Sequence, residues 1–149
     1  MIKDLLSYRL HVVANLLSRG AELRYRREFG VSLWEWRTVA LLGGGNEPLS
    51  LGELAHAAGI HKSQMSRVVS GLAKRKLVVR DANAEDARGV RLQLSKNGRK
   101  LYDGLIEAAN QRDAAFRRCL TSSETQIFDR ALAKLAGRAR TFIQQEKKS

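Results

Sequence analysis

Three Ser/Thr-x-x-Glu boxes, Ser32 with Glu35, Ser50 with Glu53 and Thr121 with Glu124, fix where helices begin in this chain. In such a box the hydroxyl takes the third backbone N–H of the helix and the carboxylate reaches back to the N-cap N–H, so local chemistry specifies the boundary. Ahead of the first box, Leu5, Leu6, Val12, Val13, Leu16, Leu17 and Leu23 recur at helical spacing. They predict a long amphipathic helix ending near Phe29 and Gly30, whose apolar face needs a partner. Gly43, Gly44, Gly45, Asn46 and the sole proline, Pro48, end the second helix, and a short third helix then spans residues 51–58 before Gly59 turns the chain.

From Lys62 onward, Met65, Val68, Val69 and Leu72 share one face of a fourth helix, packed on the third across a turn of roughly 3 or 4 residues. Residues 77–80 read as a strand, and Val90, Leu92 and Leu94 alternate with Arg91 and Gln93 as a second strand with one buried face. After Gly98 two helical patterns follow, one through Leu101, Leu105, Ala108, Ala109, Ala115 and Phe116, the other through Ile127, Phe128, Ala131, Leu132, Leu135, Ala139, Phe142 and Ile143. The predicted fold is mainly α with a small β-hairpin wing: a winged helix-turn-helix set between terminal helices. At 149 residues, with no repeat or linker, it fits a single domain.

Several function classes are disfavoured by composition. Cys119 is the only cysteine, so a disulfide within the chain and a four-cysteine zinc site are excluded, and a reducing, cytoplasmic setting is expected. Asp4, Arg9 and His11 break the apolar run at the start, which therefore reads as neither signal peptide nor membrane span. His11, His56 and His61 have no metal-ligand spacing, and the Gly43–Gly45 run lacks a following Gly-Lys-Ser/Thr. No enzyme, metal or cofactor is expected.

Twenty-seven Lys and Arg against 15 Asp and Glu give a net charge of +12, which favours a polyanionic partner, nucleic acid ahead of an anionic membrane surface. The excess is focused. No acid lies between Glu53 and Asp81, where Lys62, Arg67, Lys74, Arg75, Lys76 and Arg80 fall. A second acid-free run between Asp86 and Asp103 carries Arg88, Arg91, Lys96, Arg99 and Lys100. At about 100° per residue, Ser63, Arg67, Ser70 and Lys74 lie opposite the apolar face of the fourth helix, flanked by Lys62, Gln64 and Ser66. Short polar side chains allow close approach to a major groove, and Arg, Gln and Lys meet base edges. An isolated helix of this kind would read as a solvated face; the adjoining hairpin favours DNA. Its tip offers Arg88 to a minor groove, with Asp86 positioned to hold the guanidinium, while Asp81 and Glu85 read as turn residues.

The stretches VSLWEWRTVALL at 31–42, LGELA at 51–55, SQMSR at 63–67, residues 72–80, and DAR at 86–88 leading to LSKNG at 94–98 resemble, in this order, the signatures of the MarR family. The resemblance covers about residues 5–145 and implies a cytoplasmic homodimer whose first, fifth and sixth helices intertwine. It divides the chain into a DNA-binding lobe at 31–98 and a dimerisation region at 1–30 and 99–146. It further implies a sequence-specific double-stranded-DNA-binding repressor of a pseudo-palindromic operator, relieved by a small molecule. Lys62, Ser63, Gln64, Ser66 and Arg67 would take the groove-reading positions, and Asp86 and Arg88 the wing positions. The chain departs from the family pattern at Lys76, where glycine is frequent, at Ala87, which replaces the first of an arginine pair, and at Ser95, which replaces threonine. A lysine adopts the left-handed conformation poorly, so the first departure is expected to alter the exit of the recognition helix.

His11, Tyr25, Trp34, Trp36 and Arg37 lie on elements that in this family border a cleft, making them candidates for an aromatic or carboxylate effector, although aromatic residues on apolar faces are more often core. Cys119, beside Arg117 and Arg118, is a candidate redox sensor, but a buried, inert thiol is the favoured reading. A basic architectural protein without sequence preference is the alternative to a specific regulator.

Overall fold

The computed structural model describes residues 1–81 and 89–148. The chain divides into two compact units, Met1–Ala109 and Asn110–Ser149. In the first unit a short 3-10 turn, Ile2–Asp4, precedes helix α1, Leu6–Phe29. Gly30 ends α1 with a φ of +67°, a left-handed conformation that glycine adopts without Cβ strain. Helix α2, Leu33–Gly44, starts at the predicted box: the Glu35 N–H donates to Ser32 Oγ at 3.2 Å and the Ser32 N–H to Glu35 Oε1 at 3.0 Å. Helix α3, Leu51–Ala58, starts at the Ser50 and Glu53 box and is followed by helix α4, Lys62–Lys74.

Strands β1, Leu49–Ser50, β2, Val78–Asp81, and β3, Arg91–Leu94, form an antiparallel sheet in the order β1-β3-β2. The last described rung of the wing pairs Asp81 with Arg91. Val90 was expected on the buried face, but it lies beyond that rung and is 46% exposed. Leu92 is buried and Leu94 partly so. Gly98 was expected to precede the next helix. The next helix, α5, runs Lys96–Arg117 and so already includes it. Ser95 Oγ accepts the Gly98 N–H at 3.0 Å, as a capping hydroxyl does, and moves the start upstream.

Val31, Val39, Leu54, Met65, Val69, Leu72, Leu92 and Leu105 gather in one core with Tyr25 and Leu42, fastening α4 and the sheet to α1, α2 and α5 within this unit. Thr38 is the buried polar member, its hydroxyl donating to the Trp34 carbonyl at 2.7 Å. In contrast, Leu5, Leu6, Val13, Leu16 and Leu23 of the N-terminal segment are all more than half exposed.

In the second unit the end of α5 turns into helix α6, Ser122–Glu146, which begins at the Thr121 and Glu124 box. Arg117 closes the turn, donating to Asp113 at 2.8 Å and Asp129 at 3.1 Å, and these carboxylates hold its guanidinium still more firmly protonated. No residue of α6 is buried; Ile127, Phe128, Phe142 and Ile143 stand exposed. Among the described residues no helix is long and apolar enough to cross a membrane.

Candidate nucleic-acid interface

Helix α4 buries Met65, Val69 and Leu72 and turns its other side outward. Lys62, Ser63, Gln64 and Arg67 are exposed, and Ser66 is half-buried at the edge of a cavity of about 190 Å³ lined also by Leu51, Val69, Arg80, Val90 and Leu92. The five predicted residues therefore sit together on the first half of one anchored helix. Their helix end also differs from those of α2, α3 and α6. Boxes close the starts of α2, α3 and α6 with a hydroxyl and a glutamate, whereas α4 has His61 at its N-cap, no side-chain cap and no acid in its first turn. The first backbone N–H groups of α4 are left without such a side-chain acceptor, and the positive end of its dipole is not offset by a carboxylate.

The basic residues counted along the two acid-free runs divide into two groups. Arg75 donates to the Gly30 carbonyl and to Glu35, each at 3.1 Å. Arg91 is paired with Glu53 at 3.2 Å, and Arg99 donates to the Gly43 carbonyl at 2.7 Å with its guanidinium 5.2 Å from the centre of the Tyr102 ring. These three arginines tie elements together, so counting them towards a DNA-facing surface is corrected. Arg80 donates to the Ser70 hydroxyl at 3.4 Å on the flank of α4. Lys62, Arg67, Lys74 and Lys76 are exposed and have no ion pair among the described residues. Of the predicted wing residues, Asp86 and Arg88 lie outside the described residues, as does Ala87.

A sequence profile of the MarR family matches residues 29–89, which span α2, α3, α4 and β2. The HTH-type transcriptional regulator FarR of Neisseria gonorrhoeae is 32% identical over 102 residues, covering 68% of this chain and 69% of FarR. The chain belongs to the MarR family. It is a winged-helix, DNA-binding transcription regulator and not an enzyme. Its fold is that of a MarR/EmrR family transcriptional regulator from Acinetobacter sp. ADP1, with a TM-score of 0.87 at 23% identity over 95% of this chain and 99% of that one. It is also similar in fold to Staphylococcus aureus MepR in complex with DNA, with a TM-score of 0.82 at 18% identity over 90% and 98% of the two chains.

The effector candidates of this MarR-family chain are only partly brought together. Trp36 and Arg37 line a cleft of about 320 Å³ with Ala40, Leu41, Ala57 and Ala58. Arg37 lies 4.9 Å from the centre of the Trp34 ring and donates to Ser18 at 3.1 Å. Tyr25 is a core residue instead, its ring packed 5.1 Å from that of Trp36 and 6.3 Å from that of Phe29. His11 is exposed on α1 with its ring 3.0 Å from the Asn15 amide, and does not line the cleft. The expectation of a buried Cys119 is also corrected: the thiol is exposed in the turn between α5 and α6. The neighbouring Arg117, invoked to favour a thiolate, is committed to Asp113 and Asp129.

Proposed function

We propose that this regulator is a cytoplasmic homodimer that represses transcription by reading a pseudo-palindromic operator. Lys62, Ser63, Gln64, Ser66 and Arg67 of α4 enter the major groove, and Asp86 and Arg88 serve the wing in the minor groove. In this reading residues 31–98 form the DNA-binding lobe, and 1–30 with 99–146 the dimerisation region. The observation that carries it is the first half of α4: anchored by Met65, exposed, without a carboxylate and without a side-chain cap. A surface of that kind meets phosphates with its backbone N–H groups and base edges with Gln64 and Arg67.

The test is binding to a duplex enriched by the protein itself from a random pool. Arg67→Ala should weaken that binding by about 1–3 kcal/mol if it meets a base, and Arg88→Ala should weaken it with the fold retained. Unchanged affinity in both variants overturns the assignment. An unrelated duplex of equal length separates this reading from an architectural protein, since a specific regulator prefers its site by about 10³-fold or more.

The cleft beside Trp36 supports relief by a small aromatic carboxylate, with Arg37 for the carboxylate and the Trp36 indole for the ring. Calorimetry with salicylate should give heat that Arg37→Ala removes; no heat from the unsubstituted protein overturns this part alone.

A further inference from the structure

We propose that Ser95 is a positioning residue for operator recognition, holding the exit of α4 to the start of α5 so that the opposite end of α4 lies correctly in the groove. The proposal rests on α4 being the reading helix. Helix α4 ends on Lys76, whose φ is +59°. The Lys76 N–H donates to the Ala73 carbonyl at 3.0 Å and the Leu77 N–H to the Leu72 carbonyl at 3.0 Å, the paired bonds of a Schellman closure. Helix α3 ends in the same way on Gly59, where the Gly59 N–H reaches His56 and the Ile60 N–H reaches Ala55, each at 3.1 Å. Glycine takes that conformation without a Cβ in the way, whereas at Lys76 the Cβ opposes it.

What opposes the strain is a clasp from residues nineteen and more positions along the chain. Ser95 Oγ donates to the Lys76 carbonyl at 2.6 Å and accepts the Gly98 N–H at 3.0 Å, while the Ser95 N–H donates to the Leu77 carbonyl at 3.0 Å. Gly98 lies so close beneath this junction that a Cβ there would run into the Leu77 carbonyl. A plain N-cap needs only the bond from Gly98; the bond to Lys76 is additional and joins two elements. It also has leverage. Thirteen residues make a helix about 20 Å long, so a tilt of about 5° at the exit moves the groove-reading end by about 2 Å, enough to break a hydrogen bond.

The test compares binding to the enriched duplex and to an unrelated duplex, per active dimer counted by stoichiometric titration. Ser95→Ala should lower affinity for the enriched duplex by about tenfold, an effect of the size of one lost positioning bond, and leave the unrelated duplex unchanged. Ser95→Thr keeps the hydroxyl and should restore selectivity. Ser95→Asp keeps an acceptor for the Gly98 N–H but has no proton for the Lys76 carbonyl; it should lose selectivity with the start of α5 intact, and it carries the test if Ser95→Ala does not fold. Equal losses on both duplexes, a fall in active fraction alone, or failure of Ser95→Thr to restore selectivity overturns the positioning role. Arg67→Ala is measured alongside. If it loses selectivity and the Ser95 variants do not, the clasp fails and the reading helix stands; if none loses selectivity, both fail.

Discussion

Lys76 shows how one residue can break a local rule and keep the local geometry. A glycine is the ordinary choice for a helix exit with positive φ, and the lysine was expected to change that exit. It does not: the left-handed conformation is retained, with a φ of +59°, because backbone bonds and Ser95 together determine it. Strain of this kind should be recoverable. Lys76→Gly is expected to stabilise the fold by about 1 kcal/mol, the left-handed penalty less the extra freedom glycine gives the unfolded chain. That corresponds to about 2–4 °C in Tm for a chain of this size. Denaturant titration and thermal melting at one fixed protein concentration check it, since association also shifts Tm. A value unchanged or lower would mean that the strain is relieved elsewhere. Gly98 carries the opposite lesson: it read as punctuation before a helix, yet it is inside one, required by the approach of the Leu77 carbonyl. That requirement comes from a neighbour in space and has no trace in the residues beside it.

Helix starts were the most legible elements because a capping box is complete within four residues. Those at Ser32, Ser50 and Thr121 all form with both reciprocal bonds. The box at α6 also has a titration signature. The Glu124 carboxyl is held below its ordinary 4.5, first by the Thr121 backbone N–H and then by the Thr121 side chain. Because the folded value lies below the unfolded one, this contribution is fully present above about pH 4.5 and is lost as pH falls through the folded value. Carboxyl NMR should find a Glu124 midpoint below 4.5, and in Thr121→Ala the midpoint should rise only part of the way, since the backbone donor remains. A midpoint at the ordinary value would show that the box is open in solution. Elements defined across space were less legible. Strand β1 has two residues, Leu49 and Ser50, too few for any alternation, and exists through its pairing with Leu92 and Arg91. Val90 continues the alternation of β3 in sequence but lies beyond the last described rung and is 46% exposed.

Over the whole molecule, the net charge of +12 pointed to a polyanion but overstated the number of groups available to it, since Arg75, Arg91 and Arg99 each bridge elements of the fold. Sequence distance hid those partners: Glu35 is 40 residues from Arg75, and Glu53 is 38 from Arg91. The apolar pattern, by contrast, was legible and stayed unmatched. Leu16 is 62% and Val13 52% exposed on α1, and Phe128 is 48% and Ile143 54% exposed on α6. Neither face is covered within its own unit, and runs of exposed apolar residues this long mark an association surface in a folded protein. In the dimer proposed above, a second copy would cover such faces and supply the paired reading helices that a pseudo-palindrome needs. Leu16→Glu tests this directly, because a side chain so exposed in the single chain can be replaced with little loss of its internal packing. Sedimentation should show the unsubstituted protein as a dimer and the variant as a monomer with unchanged helix content. The monomer's affinity for the enriched duplex should fall by about 10²-fold or more, as the second half-site is no longer tethered to the first. A variant that remains dimeric would remove the α1 face from the interface, and a monomer that keeps full affinity would remove the twofold operator.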